Sequence, residues 1–136
     1  MKKTIAASLS GLAIAGLLLP IAASAGIGEE LTIAQTHSLL AYRSGGRGVG
    51  GAKTHLQHAL NCLVGPGGEG YNATPPMMDP CANSGKGALN DAISPAQKQK
   101  IITAIAMTKK AMEITEPEPM QTATTDLADA ILAAKE

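Results

Sequence analysis

The sequence predicts an all-α protein, a small four-helix bundle with one long Gly/Pro-rich loop stapled by a disulfide. Three observations carry that expectation. There is no Trp and no Phe, and the only tyrosines are Tyr42 and Tyr71, so the core must be assembled from Ala, Leu, Ile and Met, a palette that suits helices and offers little to strands. Apolar residues recur at helical spacing in four segments. Most of the Gly and Pro fall between those segments, where they end helices and form turns.

Taken in order, "MKKTIAASLSGLAIAGLLLPIAASAG" has Lys2 and Lys3 ahead of an apolar run from Leu12 to Ala23, and small residues up to Ala25. This is the pattern of a secretory signal peptide over 1–25, cut between Ala25 and Gly26, which leaves 26–136 as a single helical domain, periplasmic or secreted. The run is short and interrupted by Gly16 and Pro20, so no stable membrane span is expected once the leader is removed.

A first helix over about 29–43 opens on Glu29 and Glu30 and closes on Arg43, the charge order the helix dipole favours. "SGGRGVGG", with five glycines in eight residues, ends it and connects to a second helix over about 52–64. The loop 65–87 holds six glycines and four prolines in twenty-three residues and shows no apolar period. A loop of that length within a domain calls for a constraint or a function. Ser94 as N-cap and Pro95 at the first helical position start a third helix over 95–115, ahead of "EPEP". A fourth over 124–135 places Leu127, Ala130, Ile131 and Ala134 on one face.

The two cysteines are Cys62, at the end of the second helix, and Cys81, in the loop. In an exported chain such a pair reads as a disulfide. It would close a loop of about twenty residues and contribute about 3 kcal/mol in the chain-entropy picture. Two thiolates holding a metal is the competing reading, and it lacks a CxxC pair.

"THLQHALNCL" carries two of the three histidines. On a helical wheel Leu56, Ala59, Leu60 and Leu63 make the apolar face, Lys53, Thr54, Gln57 and Asn61 the polar one, and His55, His58 and Cys62 a shoulder between them. His37 shares a stripe with Ile33, Ala34, Leu40 and Ala41. Folding the first two helices into an antiparallel hairpin about the glycine turn brings His37 level with His58, so His37, His55 and His58 converge on one point. The plain alternative is a set of hydrogen-bonded histidines on helix edges with a structural role.

Three imidazoles suit Cu(II), Zn(II) or Ni(II), with copper bound tightest on intrinsic affinity. Met77 and Met78 in "PPMMDPC" are possible additional ligands, if the loop folds back over the site, or else an apolar anchor onto the bundle. Non-covalent haem through His37 and His58 is a third reading; there is no CxxCH for covalent attachment. "THLQHALNCL" with "IAQTHSLLAYR", over about 33–63, resembles the small periplasmic metal-binding proteins of nitrifying bacteria, helical bundles with His-x-x-His-Ala-like repeats. The matching positions are His37, His55, His58 and Ala59, and the resemblance implies uptake of copper or another divalent ion at one or two sites. The few histidines, the cysteine pair and the long loop depart from that pattern.

The eleven basic and eleven acidic residues balance, and removing Lys2 and Lys3 leaves a slight acidic excess with no basic tract, which argues against nucleic acid as a partner. No GxSxG, HExxH or phosphate loop is present, so an enzyme is not expected and no catalytic residue is assigned. The expected function is binding of a transition metal, copper preferred, with a metal-free structural or protein-interaction module of the cell envelope as the alternative.

Overall fold

The computed structural model describes residues 25–136. The expected signal peptide therefore lies outside the described residues, apart from Ala25. Five helices form in the order α1 (Ala25–Gly45), α2 (Val49–Val64), α3 (Ala88–Asp91), α4 (Pro95–Met112) and α5 (Pro117–Ala134), and no strand is found among the described residues. The protein is all-α. α1 packs on α2 and α5, α5 on α4 and α4 on α2, so the four long helices close a ring around one core, while the single turn α3 touches α1, α2 and α4.

Several helix limits differ from those expected. α5 starts at Pro117 and not at 124, because "EPEP" begins a helix where the sequence predicts a break. Pro117 stands in the first turn, where backbone N–H groups have no partner within the helix, so a residue lacking one loses nothing there. Glu118 adds an acidic side chain at the positive end of the dipole. α4 stops at Met112, short of 115, as Glu113 and Ile114 turn back to bond the carbonyls of Lys110 and Ala111. α1 runs past 29–43 at both ends, and α2 takes in Gly50 and Gly51. Closeness rewards glycine at the hairpin: a Cβ at Gly51 would stand 3.3 Å from the Ser44 Cβ, and one at Gly45 3.2 Å from Met120 Cγ. α3 is an additional turn, too short for any periodic signal.

The core draws Ile27, Leu31, Ala34 and Ala41 from α1, Leu56, Ala59 and Leu63 from α2, Ile101 and Ala104 from α4, and Met120, Leu127 and Ile131 from α5. The capping of α4 is as its sequence suggests: Ser94 Oγ accepts the Gln97 N–H at 3.1 Å. The C-terminus of α5 is closed from α4, with Gln97 and Lys100 donating to the carbonyls of Ala134 and Ala133. Those bonds satisfy carbonyls that the helix itself leaves open.

Loop 65–87 begins and ends at the same place. Gly65 has φ 69°, and a Cβ there would lie 1.8 Å from the Lys86 carbonyl oxygen; a Cβ at Gly87 would lie 2.3 Å from the Gly65 nitrogen. Only glycine permits that approach. Glu30 of α1 secures the same end, its Oε1 accepting the Gly87 N–H at 2.7 Å. Its carboxyl is 1% exposed and its Oε2 has no hydrogen-bond partner. Burial, outweighing that amide bond and aided by the charges of Asp91 and Glu29, pushes the Glu30 pKa above the usual carboxylate value.

A carboxyl whose pKa is raised on folding weakens the native state where it ionises, and the penalty fades as pH falls through its folded pKa towards the unfolded one. Glu30→Gln keeps an acceptor for Gly87 and buries no charge. Thermal unfolding at pH 7 should therefore show the variant at least as stable as wild type, with its advantage shrinking towards pH 4.5. A clear loss of stability at pH 7 would show that the charge itself is used.

Candidate metal centre

α2 is expected to be amphipathic, yet every residue from His58 to Val64 is buried. The reason is the loop, which lies along the outer side of this helix. Asn61, on the polar face of the wheel, is 1% exposed and bonds through both ends of its amide. Nδ2 donates to the Asn72 carbonyl at 2.8 Å and to Asp79 Oδ2 at 3.0 Å, while Oδ1 accepts the Asn72 N–H and Gln57 Nε2, each at 3.0 Å. Two donors and two acceptor positions are the whole capacity of the side chain. At the next position, Cys62 is bonded to Cys81 across 5.2 Å between Cα atoms, and no free cysteine remains. Neither sulfur is available as a thiolate ligand.

Asp79 binds the loop to itself and to α2. Its Oδ2 accepts from Asn61 and from the Tyr71 hydroxyl at 3.0 Å, and its Oδ1 from the Cys81 N–H at 3.0 Å. Burial, then the hydrogen bond and charge of Asp79, raise the Tyr71 pKa above its ordinary value, so the phenol stays a donor. Neither Asn61 nor Asp79 stands out in the sequence. A helical Asn is usually solvated and a loop Asp usually makes a turn, so the only hint was their proximity to a cysteine pair.

The hairpin of α1 and α2 sets His37 opposite His55 and His58. His37 Nδ1 and His55 Nδ1 are 3.2 Å apart, ring centroids are 4.8 Å from His37 to His58 and 6.3 Å from His55 to His58, and one ring nitrogen from each histidine falls within 4.8 Å of the others. Tetrahedral coordination at about 2.0–2.1 Å separates ligand nitrogens by about 3.3 Å, so the His37–His55 pair already has ligand spacing. His58 brings a third ring nitrogen within 4.8 Å of that pair.

The tautomer of His58 follows from its surroundings. Its Nε2 is 2.9 Å from the Pro76 carbonyl oxygen, which can only accept, so Nε2 carries the proton and donates. Nδ1 then holds a lone pair; it is buried and has no partner. A carbonyl fixing one ring nitrogen while the other keeps its lone pair is the arrangement that orients histidine ligands in metal sites.

His37 and His55 are also held neutral. Burial first, then the neighbouring His58 and His55, lower the His37 pKa to about 4, against a raising influence from Asp79. Burial and His58 lower that of His55 too. Neutral imidazole is the form that binds metals.

Met77 and Met78 follow Pro76 directly but are 77% and 87% exposed. They are not brought into the histidine cluster, and they do not pack as an apolar anchor onto the bundle. Met77 has φ 66°, a left-handed conformation that is rare outside glycine and adopted here at the corner of the loop. No helix among the described residues is long and apolar enough to cross a membrane.

No known protein family, characterised protein or solved structure matches the chain. What is established of the site is its chemistry, a group of three histidines able to hold a metal ion on an all-α scaffold with one disulfide.

Replacing Asn61 by Ala removes the side chain that satisfies the Asn72 peptide groups. Urea denaturation should show a loss of about 2–3 kcal/mol, and amide exchange should speed up at the loop residues it holds. A change below about 0.5 kcal/mol would mean the disulfide alone holds the loop.

Proposed function

We propose that this protein is exported and binds one divalent transition-metal ion, copper most tightly, through His37, His55 and His58 between α1 and α2. The observation that carries this reading is the convergence of His37, His55 and His58, one ring nitrogen from each within 4.8 Å of the others, with the buried Nδ1 of His58 left without a partner. A buried acceptor without a donor costs about 1–3 kcal/mol, which a bound cation would relieve. Three nitrogen ligands favour copper in the order of divalent affinities and leave a coordination position for water or an outside ligand. The disulfide fits an oxidising compartment, as the expected leader does. A likeness to the nitrifier metal-binding proteins agrees with this and adds no geometry. Haem fits less well: His37 and His58 make an edge contact at 88° with 4.8 Å between centroids, leaving no slot for a macrocycle between them.

One observation favours a second reading, a metal-free structural or interaction module of the envelope. His37 and His55 can share a hydrogen bond at 3.2 Å without any ion. That reading leaves His58 Nδ1 unexplained.

Titration calorimetry of wild type with Cu(II) should give one site per chain. His37→Ala, which removes the only ligand from α1, should weaken it by at least about a hundredfold, since losing even an outer partner of a ligand costs about 10–100-fold. Equal affinities for the two proteins would remove the convergent site. Binding should persist below pH 6.5, where an ordinary imidazole is largely protonated, and fade as pH approaches about 4, where His37 takes up its proton. Loss of metal already complete at pH 6 would contradict neutral, buried ligands.

A further inference from the structure

Loop segment 76–81 lies against α2 from His58 to Cys62, and Asp79 is in its middle. Three residues before it, Pro76 accepts from His58; two residues after it, Cys81 is bonded to Cys62; Asp79 itself accepts from Asn61, one helical turn beyond His58 and on the same side of α2. Its three donors, an amide, a phenol and a peptide N–H, are all neutral. The one ion pair among the described residues is Lys109–Glu69, on the exposed surface, so Asp79 has no cationic partner there. A half-buried carboxylate with no counter-charge is thus tied to the turn of α2 that follows His58, and its field reaches His37.

We infer that Asp79 is a positioning and charge-compensating residue of the metal centre, holding the Pro76 carbonyl on His58 and making the site favour Cu(II) over Cu(I). This rests on the metal-binding reading above. The energy between a fixed charge and an ion is proportional to the charge of the ion, so one carboxylate stabilises a divalent ion twice as much as a monovalent ion in the same place. Hydrogen bonding by itself has no such dependence. The two roles of Asp79 are therefore separable.

The measurement is the reduction potential of the bound copper, Cu(II) plus one electron giving Cu(I), on the intact mature chain. The neutral variants are Asp79→Asn and Asp79→Ser, and Asp79→Glu retains the charge. The result is read on whichever neutral variant keeps the circular dichroism of wild type. It should lose about tenfold more affinity for Cu(II) than for Cu(I), equivalent to a potential about 59 mV higher for this one-electron couple. Asp79→Glu should stay near wild type. A neutral variant that binds copper at the wild-type potential, whatever its overall affinity, overturns the inference while leaving the metal site standing. Failure of wild type to bind copper overturns the metal-binding reading and this inference with it.

Discussion

The packing of loop 65–87 along α2 is the constraint on which the rest of the structure depends. Twenty-three residues without helix or strand carry many backbone donors and acceptors, and a glycine- and proline-rich stretch loses more entropy on ordering than it recovers from apolar burial. Here the ordering comes from specific contacts. Asn61 meets both peptide groups of Asn72, Asp79 gathers three donors, the disulfide joins the far end of the segment to α2, and Gly65 against Gly87 closes the base. Each contact begins on or next to the last two turns of α2. That half of the helix is buried all round for this reason, although its sequence is only partly apolar.

The same packing gives the histidines their character. Without the loop, His58 would be on the edge of a solvated helix, free in tautomer and rotamer. With Pro76 over it, one nitrogen is committed as a donor and the other is buried without a partner. The hairpin supplies the third imidazole from the opposite side, and burial keeps His37 uncharged far into the acid range. A cluster of three imidazoles assembled in this way has unused acceptor capacity, and Asp79 is the carboxylate whose charge acts on His37. The chemistry of the centre thus depends on a loop that contributes no histidine.

The bundle contributes rigidity to this region more than shape. The close approach of α1 to its neighbours relies on small side chains, Ala34, Ser38 and Ala41, with Ser38 returning its hydroxyl to the Ala34 carbonyl and so leaving no polar group unmet. Thr108 and Thr124 do the same in α4 and α5. A core with so few large residues brings helix backbones close, and the histidines of α1 and α2 reach one another for that reason. Glu30, like His58, departs from this economy: its buried carboxyl fastens the loop base at the cost of an unpartnered oxygen.

Much of this was legible in the chain. Helical periods, the Ser94 and Pro95 start and the glycine hairpin are signals read over a turn or two, so the all-α class, the extent of the loop and the candidate convergence of His37, His55 and His58 followed from spacing. The Cys62–Cys81 bridge followed from an even cysteine count together with the expectation of export. Where the reading failed, the deciding partner was distant or the local signal ambiguous. "EPEP" is equally a break or a helix start until Met120 and Thr124 are seen to be buried, and Met77 and Met78 read as ligands or anchors until the loop path leaves them outside. Asn61 and Asp79 had no local signature, because an amide and a carboxylate become structural only when their particular partners arrive from another part of the chain. The sequence by itself determined which segments are helices and which side chains share a face, since those depend on residues within a few positions of one another. The tertiary structure alone decided which lone pair of His58 is left unpartnered, since that depends on a carbonyl eighteen residues away.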